Sequence, residues 1–361
     1  GVGIISYTWT QGSPTVTGTS TWDASAGTYI VTIEDVNGCS IQDIATVGEP
    51  NELSVTLSSN INYGAFHVSC NGASDGEILA TVLGGTSPFT YAWSNTQSTN
   101  PAINVPVGPL SVIVTDSNLC TDTLVINLLQ PDSLSTTIDY NNLLCYNDTS
   151  GNITVNVTGG TNMYHYTLYM YNPNYPLNNG WQQISQSPIS GLFYPGTSTT
   201  FLNLSAGMYI TTVIDTNGCS ITDTTELTQP DSLIVSHIDT NILCYGENTG
   251  SINIDVTGGT EPYDYQWTGA IITNNEDLNN LYAGTYYLEV TDSNGCTVYD
   301  TIILIEPDSI FLSSIDTNIL CYGDSTGSID LSVTGGVPPY TYQWSNGATT
   351  QDIDILPAGT Y

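Results

Sequence analysis

The stretch that decides the fold begins Cys244-Tyr-Gly-Glu-Asn-Thr-Gly-Ser-Ile-Asn-Ile-Asp-Val-Thr-Gly-Gly259 and continues with Pro262-Tyr-Asp-Tyr-Gln-Trp267. It then runs through Leu281-Tyr-Ala-Gly-Thr-Tyr286 and Thr291-Asp-Ser-Asn-Gly-Cys296 to Glu306-Pro-Asp308. Its hydrophobic period is two. Ile252, Ile254 and Val256 alternate with polar residues, and Tyr263, Tyr265 and Trp267 fall on one face, as half-buried strands require. Val, Ile, Thr and Tyr fill these runs, and Gly-Gly, Asn-Gly and Pro-Asp punctuate them. No stretch supports a helix of useful length.

The same order of segments recurs from Cys70, Cys145 and Cys321, with starts 75, 99 and 77 residues apart. A repeat of about 76 residues follows, the third copy carrying an insertion of about 22. The chain divides into a partial repeat at 1–49, repeats at 50–131, 132–230 and 231–307, and a partial repeat at 308–361; the insertion lies at about 169–197. These are called units one to five below. Unit one lacks the first third of a repeat and unit five the last third. That pattern predicts a segment internal to a longer precursor.

Strands at this spacing predict an all-β fold, tandem immunoglobulin-like antiparallel β-sandwiches in an extended string. With strands lettered A to G, Trp93, Trp267 and Trp344 take the place of the buried tryptophan of strand C. The turns at Tyr29, Tyr209 and Tyr286 match the tyrosine corner that opens strand F. Asp215-Thr-Asn-Gly218 and Asp292-Ser-Asn-Gly295 suit tight F–G turns. The Gly-Gly pairs at 84–85, 159–160, 258–259 and 335–336 are placed to end strand B.

Composition narrows the function. Among 361 residues there are no Lys or Arg against 34 Asp and Glu, a formal net charge of −34. Side-chain salt bridges and Lys–Asn crosslinks are therefore excluded on this reading, as is nucleic acid, whose phosphates need basic groups. Hydrophobic residues at 40% with 24 Tyr still suffice for packed cores, which argues against disorder. No apolar run approaches the roughly 18 residues of a membrane span, so direct insertion is not expected. No signal peptide is visible at Gly1.

The ordered set Cys-x-Gly…Gly-x-Ile, Gly-Gly-x-x-Pro-Tyr-x-Tyr-x-Trp, Leu-x-Ala-Gly-Thr-Tyr and Asp-x-Asn-Gly-Cys resembles the SprB repeat. That repeat occurs in very large surface adhesins and gliding-motility proteins of the Bacteroidetes. The resemblance implies an immunoglobulin-like sandwich, export to the cell surface, typically by type IX secretion, and a role in filaments or adhesion. Two departures stand out. Unit two has Val107-Gly-Pro-Leu110 in place of the tyrosine corner, and unit three has Tyr164-His-Tyr-Thr-Leu-Tyr-Met-Tyr171 in place of the tryptophan segment.

Eight cysteines occupy two frames, one before strand B (Cys70, Cys145, Cys244, Cys321) and one after strand F (Cys39, Cys120, Cys219, Cys296). An even, patterned set in an exported chain implies disulfides. Two arrangements are open. Within-repeat pairing gives Cys70–Cys120, Cys145–Cys219 and Cys244–Cys296, leaving Cys39 and Cys321 to partners outside the chain. Pairing across junctions gives Cys39–Cys70, Cys120–Cys145, Cys219–Cys244 and Cys296–Cys321. The first is favoured, because the residues after the leading cysteine can span one strand height at about 3.3 Å each.

No cofactor is indicated. Calcium is the metal to consider, at the junction residues Glu306, Asp308 and Asp316, although nothing matches the 12-residue calcium loop. Asp-Ser/Thr signals resembling Bacteroidetes O-glycosylation sites fall at Thr123, Ser133, Thr224, Ser232, Thr301, Ser309 and Ser325. The three histidines, His67, His165 and His237, recur at no common repeat position, and no catalytic set can be assembled, so an enzyme is not expected. The leading expectation is a structural or adhesive fibre segment whose partners are neighbouring repeats or other copies, at the bacterial cell surface. The alternative is a module that binds carbohydrate or an extracellular surface through insertion aromatics Tyr171, Tyr175, Trp181, Phe193 and Tyr194.

Overall fold

The computed structural model describes residues 6–10, 16–17, 23–61, 63–187 and 193–361. Every regular element among them is an antiparallel strand, apart from one short 3-10 turn at Asn178–Gly180. Unit one contributes β1 (Ser6–Thr10), β2 (Val16–Thr17), β3 (Gly27–Glu34) and β4 (Ser40–Val47). Unit two contributes β5 (Ser54–Ser59), β6 (Gly76–Leu83), β7 (Thr90–Trp93), β8 (Ala102–Val105), β9 (Gly108–Thr115) and β10 (Thr121–Leu128). In unit three lie β11 (Asp132–Asn141), β12 (Gly151–Gly160), β13 (Tyr164–Tyr171), β14 (Trp181–Ser187), β15 (Ser198–Leu204), β16 (Gly207–Asp215) and β17 (Ser220–Leu227). Unit four has β18 (Ile234–Thr240), β19 (Gly250–Thr257), β20 (Asp264–Gly269), β21 (Leu278–Leu281), β22 (Gly284–Thr291) and β23 (Thr297–Leu304). Unit five has β24 (Phe311–Thr317), β25 (Gly327–Thr334) and β26 (Ile353–Leu356).

Units two and four each stack two three-stranded sheets. The orders are β5-β6-β8 with β10-β9-β7, and β18-β19-β21 with β20-β22-β23. This is the A-B-E and C-F-G division of an immunoglobulin-like sandwich. Alternation along the strands sets the core: Ile252 and Ile254 from one sheet meet Trp267, Tyr286, Leu288 and Val290 from the other, and all are buried. Trp267 donates its indole N–H to the carbonyl of Asn275 at 2.8 Å, and Trp93 donates to Thr99 in the same way. The tryptophan body fills the core while its one polar group stays satisfied. In unit three Leu168 fills the place of the tryptophan between buried Tyr166 and Val213.

The tyrosine corners form as the sequence reading anticipated. Tyr29, Tyr209 and Tyr286 donate their hydroxyls to the carbonyls of Ser25, Ser205 and Tyr282, four residues upstream in each case. Unit two, which lacks the tyrosine, buries Leu110 instead.

The insertion supplies β14, which pairs with β13 and widens the second sheet to the order β14-β13-β16-β17. Residues 188–192 of the insertion and the chain start at Gly1 lie outside the described residues. Among the described residues unit one forms the sheet β2-β1-β3-β4 and unit five the sheet β24-β25-β26. Among the described residues no helix is long and apolar enough to cross a membrane.

Candidate functional site: the junction between repeats

Each complete unit has a leading end, where strand A begins, and a trailing end, where strand G leaves. At the leading end of unit four, the N–H of Gly259 donates to the carbonyl of Asp231. Beneath it Asp292 is buried and fully engaged. Its Oδ1 accepts N–H donors from Asn294 (2.9 Å) and Cys296 (2.8 Å), and its Oδ2 accepts from Thr260 (2.9 Å). Asp215 does the same for Asn217, Cys219 and Thr161, and Asp116 for Asn118, Cys120 and Thr86. Burial works against ionisation of Asp116, but the N–H donors of Thr86, Cys120 and Asn118 outweigh it and hold the carboxyl below its ordinary range. One buried carboxylate thus ties the B–C turn to the F–G turn and sets the cysteine that follows strand F on the leading surface.

The trailing end is built by the turn ahead of strand B. The residues after its cysteine do not extend; they close a tight turn in which the carbonyls of Cys70, Cys145, Cys244 and Cys321 accept N–H donors from Ala73, Asp148, Glu247 and Asp324. The turn also grips the departing linker. Gly72 donates its N–H to Gln130 Oε1 (2.8 Å), Asn147 to Gln229 Oε1 (2.9 Å) and Gly246 to Glu306 Oε2 (2.6 Å).

Two such trailing ends meet leading ends. Cys70 of unit two is bonded to Cys219 of unit three, and Cys145 of unit three to Cys296 of unit four. A second contact repeats beside each bond: the side-chain amide of Asn217 donates to the carbonyl of Ser69, and that of Asn294 to the carbonyl of Leu144, both at 3.0 Å. A cleft of about 350 Å³ at the second junction is lined by Tyr146, Pro230, Ser232 and Gly295.

Both pairings weighed from the sequence are thereby corrected. Neither the within-repeat set Cys70–Cys120, Cys145–Cys219 and Cys244–Cys296 nor the adjacent set is present. The two cysteines of one unit sit at opposite ends of strands about eight residues long, roughly 26 Å apart at the usual rise. Because the turn after the leading cysteine curls, nothing spans that height. Cys39, Cys120, Cys244 and Cys321 are exposed and unbonded. The signals missed were the near-constant separations of 149 and 151 residues between bonded cysteines. The linker Gln130, Gln229 and Glu306 were also overlooked as turn caps.

Other candidate residues are dispersed. Glu306 is turned to Gly246, and among the described residues no three His, Cys, Asp or Glu side chains converge as a metal site needs. Thr123, Ser133, Thr224, Thr301, Ser309 and Ser325 are exposed, and Ser232 is half-buried at the junction cleft. The insertion aromatics divide between the two ends of β13. Tyr171 packs on Trp181 with ring centroids 5.3 Å apart at one end, near the turn carrying Tyr175. At the other end Tyr194 pairs with Tyr164 and Phe193 packs edge-on to His165. They form two clusters, not one platform. His67 Nδ1 accepts the N–H of Leu129, and His237 lies 2.8 Å from Asp300 and 3.7 Å from Asp239. The exclusion of side-chain salt bridges rested on the absence of Lys and Arg and did not consider these histidine contacts.

The fold and its junctions define a tandem immunoglobulin-like repeat protein with bonds between successive beads. The SprB repeat family matches the chain four times, at residues 67–98, 137–170, 238–270 and 313–349. Each match takes in the turn ahead of strand B and strand B itself and leaves the F–G cysteine outside. No curated protein sequence matches the chain. Among solved structures, the tetra-tandem repeat in the extending region of a large adhesion protein is 15% identical with a TM-score of 0.28; the match covers 83% of this chain and 91% of that one. Sidekick-1 immunoglobulin domains 1–5 are 12% identical with a TM-score of 0.29, over 96% and 82% of the two chains. The N-terminal eight immunoglobulin domains of Down Syndrome Cell Adhesion Molecule are 10% identical with a TM-score of 0.25, over 94% of this chain, which spans 61% of that chain's length.

Proposed function

We propose that this chain is a spacer segment of a bacterial cell-surface adhesin or filament, exported and load-bearing, with no catalytic role. One observation carries the reading: the same covalent and hydrogen-bonded junction is built twice, from the same repeat positions, between consecutive beads. A disulfide and a hydrogen bond from a side-chain amide restrict two motions at once, bending and twisting about the linker. Each bond also closes a loop of about 150 residues, which stabilises by about 5 kcal/mol in the chain-entropy model. Exposed Asp-Ser/Thr hydroxyls along the beads offer surface on which sugars would be carried. SprB repeats support a place in the surface and gliding machinery of the cell.

Small-angle scattering tests the spacer role. With each bead roughly 30–45 Å long, the oxidised chain is expected to be a rod on the order of 150–200 Å. Reduction should broaden the distance distribution without changing the circular dichroism of the strands. A compact particle in the oxidised state would rule the spacer out.

A further inference from the structure

We propose that the insertion of unit three builds a binding site for a neutral polysaccharide on the outer face of its second sheet, with Tyr169, Tyr171 and Trp181 as the stacking surface. The register of β13 separates two faces. Tyr164, Tyr166 and Leu168 are buried in the core and Met170 packs against it. Side chains alternate along a strand, so Tyr169 and Tyr171 stand on the opposite face, away from the core. On β14, Trp181 lies directly opposite Tyr171, and Gln183 opposite Tyr169. Three rings thus occupy neighbouring places on two paired strands, with Tyr169 and Tyr171 roughly 7 Å apart along β13 at the usual rise. Covering the core does not account for them, because Leu168 and Met170 fill that side of the sheet.

The rings are fixed in place before any ligand arrives. The planes of Tyr171 and Trp181 meet at 58°, and the loop that joins their strands closes on itself. Asn172 donates its N–H to the carbonyl of Gly180 (2.7 Å), and Tyr175 donates to the carbonyl of Asn172 (2.9 Å). Gly180 is buried with φ +92, and a Cβ there would come within 2.7 Å of the Tyr171 ring. The ring therefore rests on a glycine, while 43% of Tyr171 stays exposed. A surface ordered in advance loses little freedom when it binds.

Charge selects the class of ligand. From Thr149 to Ile214 there is no Asp, Glu, Lys or Arg, the longest such run in a chain that carries 34 acidic residues elsewhere. The register sets Ile210 beside Tyr169 and Thr224 beside Ile210; Glu226, opposite Met208 on the far strand β17, is the carboxylate of that face. A cationic partner would be drawn to the acidic beads on either side, and a polyanion needs cations that the chain lacks. A second copy would bring its own charge of −34. A neutral polysaccharide meets neither obstacle. The C–H faces of its pyranose rings pack on aromatic rings, and its hydroxyls need amides at the margin. Exposed Asn178 and Asn179, in the turn that leads into Trp181, supply both donors and acceptors.

The test is native affinity electrophoresis of the full oxidised chain in gels containing a β-glucan, a galactan or a mannan, with anionic alginate as the counter-probe. Retardation is expected in at least one neutral gel and not in alginate. Trp181→Ala and Tyr171→Ala should each raise the apparent Kd by about tenfold, equivalent to about 1.4 kcal/mol. Trp181→Phe, which keeps a ring, should retain most of the binding. In the unmutated chain, the retarding polysaccharide should shield Trp181 from oxidation by N-bromosuccinimide, read by peptide mapping. The proposal is overturned by no retardation in any neutral gel, by retardation in alginate alone, or by full binding of Trp181→Ala with its strands intact by circular dichroism. Oxidation of Trp181 at one rate with and without polysaccharide would overturn it too. None of these outcomes alters the scattering of the chain, so the site and the spacer role fail separately.

Discussion

At the scale of single residues, the turns are decided by what cannot fit. Gly258 has φ +75, and a Cβ there would run into the carbonyl oxygen of Ser232, where the linker crosses the end of strand B. Gly295 has a similar φ of +85 but faces open space. The two substitutions separate conformation from collision. Gly295→Ala should cost about 1–2 kcal/mol for the left-handed backbone alone. Gly258→Ala should cost about 3 kcal/mol or more, because the linker must also move. Urea midpoints of the two variants would show the difference; equal losses would mean the linker is not pinned where the structure puts it.

At the scale of elements, the strands C and F bury phenols that are costly to ionise. Burial pushes the Tyr166 hydroxyl up to about 12, with nearby Tyr164 adding to the shift, and burial raises Tyr164, Tyr209 and Tyr286 as well. In the unfolded chain a tyrosine titrates near 10. The raised folded values mean that this stability is fully present below about pH 10 and is lost as pH climbs towards 12. Urea midpoints should hold steady from about pH 8 to 10 and then fall, with buried phenolate absorbance appearing together with unfolding. Phenolate that forms fully before any loss of structure would contradict the burial of these rings.

At the scale of the whole molecule, 34 acidic groups face no lysine or arginine. Self-repulsion of this kind opposes the compact state and is relieved by screening. Raising NaCl from about 0.1 M to about 1 M shortens the Debye length from about 10 Å to about 3 Å. The Tm should therefore rise with salt, in differential scanning calorimetry, for oxidised and reduced chain alike. A falling Tm would contradict the dominance of self-repulsion that the charge count implies. The same repulsion runs along the length of the string and favours its extension over folding back.

The alternating strands, the buried Trp93 and Trp267, the tyrosine corners and the repeat itself were legible in the sequence, because each depends on residues close together in the chain; Trp344, also expected in the core, is only half-buried. Period-two patterning needs no partner to be recognised, and a hydroxyl bound four residues upstream is a local matter. The junction was not legible. Which cysteine meets which depends on the end of the sandwich each occupies, and that is set by whether the residues after Cys70 and Cys145 extend or curl. Only the closed turn, held by Ala73, Asp148 and the linker glutamines, puts those cysteines at the trailing end. A bond across about 150 residues of chain is a property of two stacked bodies, and no local pattern of side chains encodes their stacking.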